Sequence, residues 1–214
     1  MKHKIEKNTV QETLILPLYS RKLCTELYPN LYQDETAVRL IDEIDYDFSE
    51  AEKNSRSLMQ RFGALEVAMR QNDLAWEVRD YLKTHPSAAV FFASGGFYYF
   101  LTQQVKALVQ QMADAFSGGV LVFDAANRTA VKMIAKTWLR TAKIKDVGAY
   151  FAVSDAPKEI GEWDNRLQVT SRGYMLGYND LRDHSVSGFF RFLARVGDNG
   201  MKMQIVKIRF GGKA

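Results

Sequence analysis

The chain has 214 residues, 47% hydrophobic and 12% aromatic, which fits one folded domain, with or without a helical appendage, and argues against a disordered chain. The net charge of +4 is scattered along the sequence rather than concentrated, so a dedicated nucleic-acid-binding protein is not expected. The single cysteine, Cys24, excludes an internal disulfide and a metal site built from several cysteines.

The location of the protein is predicted from segments that the sequence lacks. Residues 1–10 are polar and charged, without the apolar stretch of a signal peptide. No apolar run approaches the roughly 20 residues of a membrane span, and a lone cysteine suits a reducing compartment. We therefore expect a cytoplasmic protein whose partners include neither a membrane nor a nucleic acid.

Residues 1–86 are predicted to form a mostly helical N-terminal extension. Apolar residues recur at helical spacing in three segments, which cover residues 11–33, 37–44 and 56–84. Asp34 or Thr36 could cap the second helix, and Ser49 is a further possible cap before the third. His85 and the proline that follows it are expected to end the third helix.

Residues 87–214 are predicted to form an α/β domain. The apolar run Ala88–Ala93 is typical of a strand covered on both faces, and Val120–Asp124 predicts a second buried strand. Helices are expected after each of them, and further elements are predicted at Ala149–Val153 (strand), Pro157–Trp163 (helix), Leu167–Leu176 (strand) and Met203–Phe210 (strand). The last strand alternates apolar and basic residues, which indicates an antiparallel strand with one polar face.

The first of these two helices is predicted to begin at Thr102 as its cap and to end at Ser117 with the two glycines that follow. Its apolar stripe is expected to comprise Val105, Leu108, Val109, Met112 and Phe116. The second helix is predicted over Arg128–Thr141, with Val131, Ile134, Ala135, Trp138 and Leu139 in register.

Six segments of the chain resemble, in the same order, segments of the leucine carboxyl methyltransferase-like family. They are "TLILPLYSRK" (13–22), "IDYDFS" (44–49), "AMRQNDL" (68–74), "YLKTHPSAAV" (81–90), "ASGGFYYF" (93–100) and "GGVLVFDA" (118–125). The most similar branch is the bacterial group described as polyketide-synthesis O-methyltransferases. The resemblance implies a class I S-adenosylmethionine-dependent methyltransferase, with a doubly wound Rossmann-like sheet, an antiparallel hairpin at one edge and a helical N-terminal extension.

The chain departs from this family between Val90 and Phe91. There the family has a glycine-rich loop, a strand ending in an acid that binds the ribose, and further elements, about 60 residues if two β-α units of about 30 residues are missing. The segment 85–101 therefore looks like the family's first strand joined to the end of its fourth. Since these strands are neighbours where the strand order reverses, we expect a truncated class I sheet without the adenosine-binding half.

The resemblance also implies a set of cofactor-binding residues. Arg70 matches the arginine that pairs with the carboxylate of S-adenosylmethionine, a bidentate role that suits a guanidinium. Gly95, Gly96, Tyr98 and Tyr99 match the loop beside the methyl-transfer site, where glycines admit a ligand and aromatic faces can border a sulfonium. The alternatives are a surface arginine and an ordinary turn whose aromatic residues pack into the core.

The acceptor side is assigned to two residues of the N-terminal segment. Tyr19 and Arg21 match a lid over the family's acceptor pocket, where they could orient an acidic acceptor, or they could simply tether the N-terminal arm. Asp124 ends a buried strand on the side where α/β sites lie, but it could equally cap the following helix.

The remaining reactive residues suggest structural roles. His3, His85 and His184 lack the spacing of metal ligands, so no metal site is predicted. His85 is expected to serve the end of its helix, and Cys24 to be a small buried apolar residue.

Two functions remain open from the sequence. The first is transfer of a methyl group from S-adenosylmethionine to an oxygen of a small-molecule or carboxylate acceptor. The second is a non-catalytic methyltransferase remnant that acts as a self-associating module. It would form a homodimer through the exposed edge of the fused strand, because unpaired strand edges invite pairing with another chain.

Overall fold

The computed structural model describes residues 2–6, 9–90, 94–134, 136, 148–176, 179 and 181–211. The first 85 residues are mostly helical, as predicted. Their elements are β1 (His3–Lys4), α1 (Val10–Thr13), α2 (Ile15–Leu27), α3 (Glu35–Glu43), β2 (Ile44–Asp45), α4 (Ser49–Asn54) and α5 (Leu58–Thr84). The short strands β1 and β2 pair in parallel.

Local side chains fix where these helices begin and end. The Asp34 carboxylate accepts a hydrogen bond from the Ala37 N–H at 2.8 Å, so Asp34 rather than Thr36 is the N-cap of α3. The Ser57 hydroxyl accepts from the Gln60 N–H at the start of α5, whereas Ser49 is already the first residue of α4. His85 follows the end of α5, where its ring stacks on Tyr81 at 4.2 Å, which agrees with its predicted structural role.

The remainder of the described chain is a mixed α/β structure. Its elements are α6 (Thr102–Ala115), β3 (Val120–Ala125), α7 (Arg128–Ile134), α8 (Ala156–Gly161), β4 (Leu167–Gly173), α9 (Gly188–Arg195) and β5 (Gln204–Phe210), with a 3₁₀ turn at Phe97–Tyr99 and a π turn at Val196–Gly200. Strand β5 lies between β3 and β4 and is antiparallel to both. The predicted antiparallel arrangement of the last strand is therefore confirmed.

The two faces of this three-stranded sheet differ in chemistry. One face carries the apolar side chains of β3 and β5, such as Phe123, Val206 and Ile208, and packs against α6, α8 and Phe151. The other face carries Lys207 of β5, whose Nζ lies 2.6 Å from the Glu77 Oε2 of α5. Helix α5 therefore covers the polar face and joins the N-terminal helices to the sheet.

The predicted strand at Ala88–Ala93 is wrong for residues 88–90. The Ala88 N–H donates to the His85 carbonyl at 3.0 Å, so the chain turns after α5, and Val90 is 44% exposed. Two alanines and one exposed valine bury little apolar surface, which leaves little to draw this segment into the sheet. Residues 91–93 lie outside the described residues.

The predicted strand at Ala149–Val153 is also wrong, although its core positions are correct. Phe151 and Val153 are buried, but the segment does not form a strand ladder. The Tyr150 N–H donates to the Tyr98 carbonyl at 2.6 Å, and the Val153 N–H donates to the Ala126 carbonyl at 2.9 Å. The segment thus bonds to two different parts of the chain, and an apolar pattern alone cannot distinguish this from a strand.

The apolar stripe of α6 is narrower than predicted. Val105, Val109 and Ala113 are buried, whereas Leu108 and Phe116 are 41% and 54% exposed, because the three-stranded sheet covers only one stripe of the helix. The N-cap is Leu101 rather than Thr102, and the Gln104 side chain accepts from the Leu101 N–H at 2.8 Å. In α7 the predicted burial of Val131 is confirmed, and residues 137–141 lie outside the described residues.

Replacing Phe151 by alanine tests whether residues 149–153 belong to the core. Phe151 is 1% exposed and its ring centroid lies 6.1 Å from that of Phe123, so we expect the substitution to lower the free energy of unfolding by about 3–5 kcal/mol. The control is Phe100→Ala, at a site that is 48% exposed. This variant should change the free energy of unfolding by less than about 0.5 kcal/mol. Equal effects of the two variants in urea-induced unfolding would contradict the packing described.

Candidate functional site

Asp124 is the centre of a buried polar cluster where β3 and α5 meet the loop that contains Gly95 and Gly96, called here the glycine loop. Its Oδ2 lies 3.2 Å from the Arg70 Nη1, and its Oδ1 accepts from the Gly95 N–H at 2.7 Å. The buried Tyr98 side chain lies close enough to Asp124 for the carboxylate to raise its pKa. The side chains of Arg70 and Asp124 are only 14% and 2% exposed, so the pair is largely shielded from water.

The glycine loop passes close to the Arg70 guanidinium. Gly95 has a φ of 72°, a left-handed conformation that glycine adopts without strain. A Cβ at this position would lie 3.7 Å from the Arg70 Nη2. Gly95, Tyr98 and Arg70 were each predicted as cofactor-binding residues, and the fold brings these three together around Asp124.

Gly96 and Tyr99 lie in the same loop but outside this cluster. Gly96 precedes the 3₁₀ turn Phe97–Tyr99, and its carbonyl accepts from the Tyr99 N–H at 3.4 Å. Tyr99 is partly exposed. These two residues therefore shape the loop, whereas Tyr98 contributes its side chain to the cluster.

Burial and charge fix the protonation of the cluster. Burial raises the pKa of Tyr98 and of Tyr174 well above the ordinary value of 10.0, and in Tyr98 the neighbouring Asp124 adds to the effect. Burial also raises the pKa of Glu66, whose Oε1 accepts from the Tyr174 hydroxyl at 3.1 Å. Burial alone would lower the pKa of Arg70, but Asp124 and the neighbouring groups raise it. The arginine is therefore positively charged and both tyrosines are neutral.

Asp124 is not the cap of α7, contrary to the interpretation favoured by its place before that helix. The cap is Asn127, whose Oδ1 accepts from the Ala130 N–H at 3.0 Å. Asn127 also donates through Nδ2 to the Gly200 carbonyl at 2.9 Å. Asp124 is thereby left to bind Arg70 and Gly95.

The two predicted acceptor residues make structural contacts in the N-terminal helices. Arg21 forms an ion pair with Asp34, at 2.7 Å between Nη2 and Oδ2. Tyr19 is buried and its ring stacks on Phe48 at 5.5 Å. These contacts favour the tethering alternative for both residues, and neither is brought to the Asp124 cluster by the contacts described here.

Four charged residues of α5 share one face, and only Arg70 among them was singled out from the sequence. This charged stripe consists of Glu66, Arg70, Asp73 and Glu77. Their spacing of four, three and four residues places them on one side of a helix. Each meets a polar partner: Tyr174, Asp124, Asn179 and Lys207, respectively. The spacing was a signal in the sequence that could have identified the whole stripe.

Asp73 is the least exposed member of the charged stripe. It is fully buried, its Oδ1 accepts from the Asn179 Nδ2 at 2.6 Å, and its Oδ2 has no hydrogen-bond partner among the described residues. Burial raises the pKa of Asp73 to about 8. Asp73 is thus held as a neutral acid over much of the ordinary pH range.

Cys24 is fully buried, as predicted, and burial raises the pKa of its thiol to about 12, which disfavours a thiolate nucleophile. Among the described residues, no group of three or more His, Cys, Asp or Glu side chains is arranged to hold a metal ion. In the same part of the chain, no helix is both long and apolar enough to span a bilayer.

The pH dependence of stability tests the environment of Asp73. Its pKa rises from an ordinary value of 3.8 to about 8 on folding, so between these values the folded chain retains a proton that the unfolded chain has lost. The free energy of unfolding should therefore fall as the pH rises from about 4 to about 8. We expect Asp73→Asn to flatten this decline and to be more stable than the wild type at pH 9.

The matched control is Asp80→Asn, which removes a carboxylate from the surface of the same helix, where the side chain is 42% exposed. This variant should leave the pH-dependent fall in the free energy of unfolding unchanged. The measurement is the free energy of urea-induced unfolding from pH 5 to pH 9. If it changes with pH in the same way in the wild type and in Asp73→Asn, Asp73 does not have the raised pKa described.

Comparison with known proteins adds no relative. No protein-family model matches the chain, and neither the curated proteins nor the solved structures contain a match.

Proposed function

We propose that the chain is a shortened, Rossmann-like class I methyltransferase that binds S-adenosylmethionine and methylates an oxygen of a small-molecule or carboxylate acceptor. The observation that carries the proposal is the convergence of Arg70 and Gly95 on Asp124. These residues lie 54 and 29 positions from Asp124 in the chain. Arg70 and Gly95 were expected to bind the cofactor solely because of the resemblance to the family.

The cluster fits the amino-acid end of S-adenosylmethionine. That end is a zwitterion, with a carboxylate that a guanidinium can bind and an ammonium that a carboxylate can bind. Arg70 and Asp124 carry this pair of charges, and because they bind each other at 3.2 Å, the ligand's carboxylate and ammonium would replace that contact. The Arg70 Nε is buried without a hydrogen-bond partner among the described residues, which is a donor that a bound carboxylate would satisfy.

The bound cofactor would supply a methyl group on a sulfonium, and the protein's part is to position it against an acceptor oxygen. Tyr98 and Tyr174 are unsuited to remove a proton, because their raised pKa keeps them neutral. They act instead as hydrogen-bond donors. An acceptor that is already anionic, such as a carboxylate, would require no base.

The alternative of a self-associating remnant has weaker support. It required an exposed edge strand at residues 88–93, and residues 88–90 do not form one. The described structure thus offers no fused strand through which two copies would pair.

Calorimetric titration with S-adenosylhomocysteine, L-methionine and adenosine tests the proposal. Because the resemblance places the missing segment at the adenosine, the amino-acid end should provide most of the binding. We expect S-adenosylhomocysteine and L-methionine to bind with a Kd on the order of 1 mM or below, equivalent to about 4 kcal/mol. Adenosine should give no saturable heat.

The matched variants are Arg70→Lys and Arg21→Gln. Lysine keeps the charge but loses the two-pronged geometry, so binding of both amino-acid ligands should weaken about tenfold, the equivalent of about 1.4 kcal/mol. Arg21→Gln removes an ion pair in α2 and should bind like the wild type. No saturable heat with either ligand, or an Arg70→Lys protein that is folded by circular dichroism and binds normally, would refute the proposal.

A further inference from the structure

A cavity of about 340 Å³ lies between the segment after β4 and helix α9. This volume is at the lower end of the range for small-molecule sites. Its described lining consists of two leucines, one asparagine and three arginines: Leu176, Leu181, Asn179, Arg182, Arg191 and Arg195. The cavity therefore combines apolar surface with positive charge, and the lining that the structure describes includes no acidic residue.

Two of the arginines belong to one face of α9. Arg191 and Arg195 are four residues apart in the helix, a spacing that makes their side chains neighbours. Like charges at this spacing repel each other. An anion bound between them would offset that repulsion, most strongly where the surroundings are partly apolar.

Arg191 is held in position by the backbone. Its Nη1 donates to the Leu181 carbonyl at 3.1 Å and to the Val186 carbonyl at 2.9 Å. The guanidinium carries further N–H donors in the same plane, a geometry that matches a carboxylate or a phosphate. Because the group is already fixed, less side-chain entropy would be lost on binding.

Asn179 connects the cavity to α5. Its Nδ2 donates to Asp73 at 2.6 Å, and its Oδ1 accepts from the Asn72 Nδ2 at 2.9 Å. Both ends of the amide are thereby engaged by the helix. The Asn179 Nδ2 also donates to the Tyr174 carbonyl at 3.4 Å, so both α5 and the segment after β4 position the lining at this point.

A second, larger cavity of about 400 Å³ on the polar face of the sheet is less suited to an anion. Its Lys207 lies 2.6 Å from Glu77, and Arg172 lies 3.8 Å from the same carboxylate. These positive charges therefore already face an acid of the charged stripe.

We propose that the cavity beside α9 binds an amphipathic anion, a carboxylate or a phosphate monoester with an apolar body. Its head group lies between Arg191 and Arg195, and its body contacts Leu176 and Leu181. This inference goes beyond the proposed methyl transfer, and it holds whether or not the chain binds S-adenosylmethionine.

Titration of the full chain with four probes tests the inference. The probes are hexanoate, hexyl phosphate, hexanol and inorganic phosphate. Hexanoate or hexyl phosphate should bind at least tenfold more tightly than hexanol, and hexyl phosphate more tightly than inorganic phosphate. The stronger of the two amphipathic anions identifies the head group.

Arg195→Gln locates the site, and Arg39→Gln, an exposed arginine of α3, is its control. Arg195→Gln loses one charge-assisted hydrogen bond and should bind the amphipathic anions about tenfold more weakly. Arg39→Gln should bind them like the wild type. Three results would each overturn the inference: equal affinity for hexanol and the anions, equal affinity for inorganic and hexyl phosphate, or undiminished binding by Arg195→Gln. Absence of any anion binding by the wild type would do the same.

Discussion

The buried ion pair between Arg70 and Asp124 is the interaction on which the rest of this structure depends. It joins the long helix α5 to the end of strand β3, and the same carboxylate anchors the glycine loop through Gly95. A charge in such a place is costly unless it is paired, so each residue requires the other. Together with the Lys207–Glu77 contact, the pair therefore holds the N-terminal helices on the sheet.

The same constraint applies to the other charged residues of α5. The charged stripe of α5 needs polar partners along its length, and the polar face of the sheet and the segment after β4 provide them. Opposite charges held together in a buried cluster are also what a zwitterionic amino acid would recognise. Stability and the proposed binding function thus rely on the same residues, Arg70 and Asp124.

Local signals in the sequence were sufficient for much of the fold. Helical spacing and the Asp34 cap defined the N-terminal helices, and alternation defined β5 as a strand with one polar face. The segments 88–90 and 149–153 could not be assigned in this way, because an apolar run indicates burial but not a hydrogen-bonding partner on a neighbouring strand. The partner of Asp124 was equally inaccessible, since Arg70 lies 54 residues away, and the sequence alone slightly favoured the capping role.

A double-mutant cycle on the ion pair tests the central claim most directly. Arg70→Gln and Asp124→Asn should each lower the free energy of urea-induced unfolding by about 3–5 kcal/mol, because each leaves an unpaired charge in the interior. The double variant should cost less than the sum, with a coupling of about 1.5–3 kcal/mol. Additive effects, or single variants that each cost less than about 1 kcal/mol, would show that the pair does not hold the two parts of the fold together.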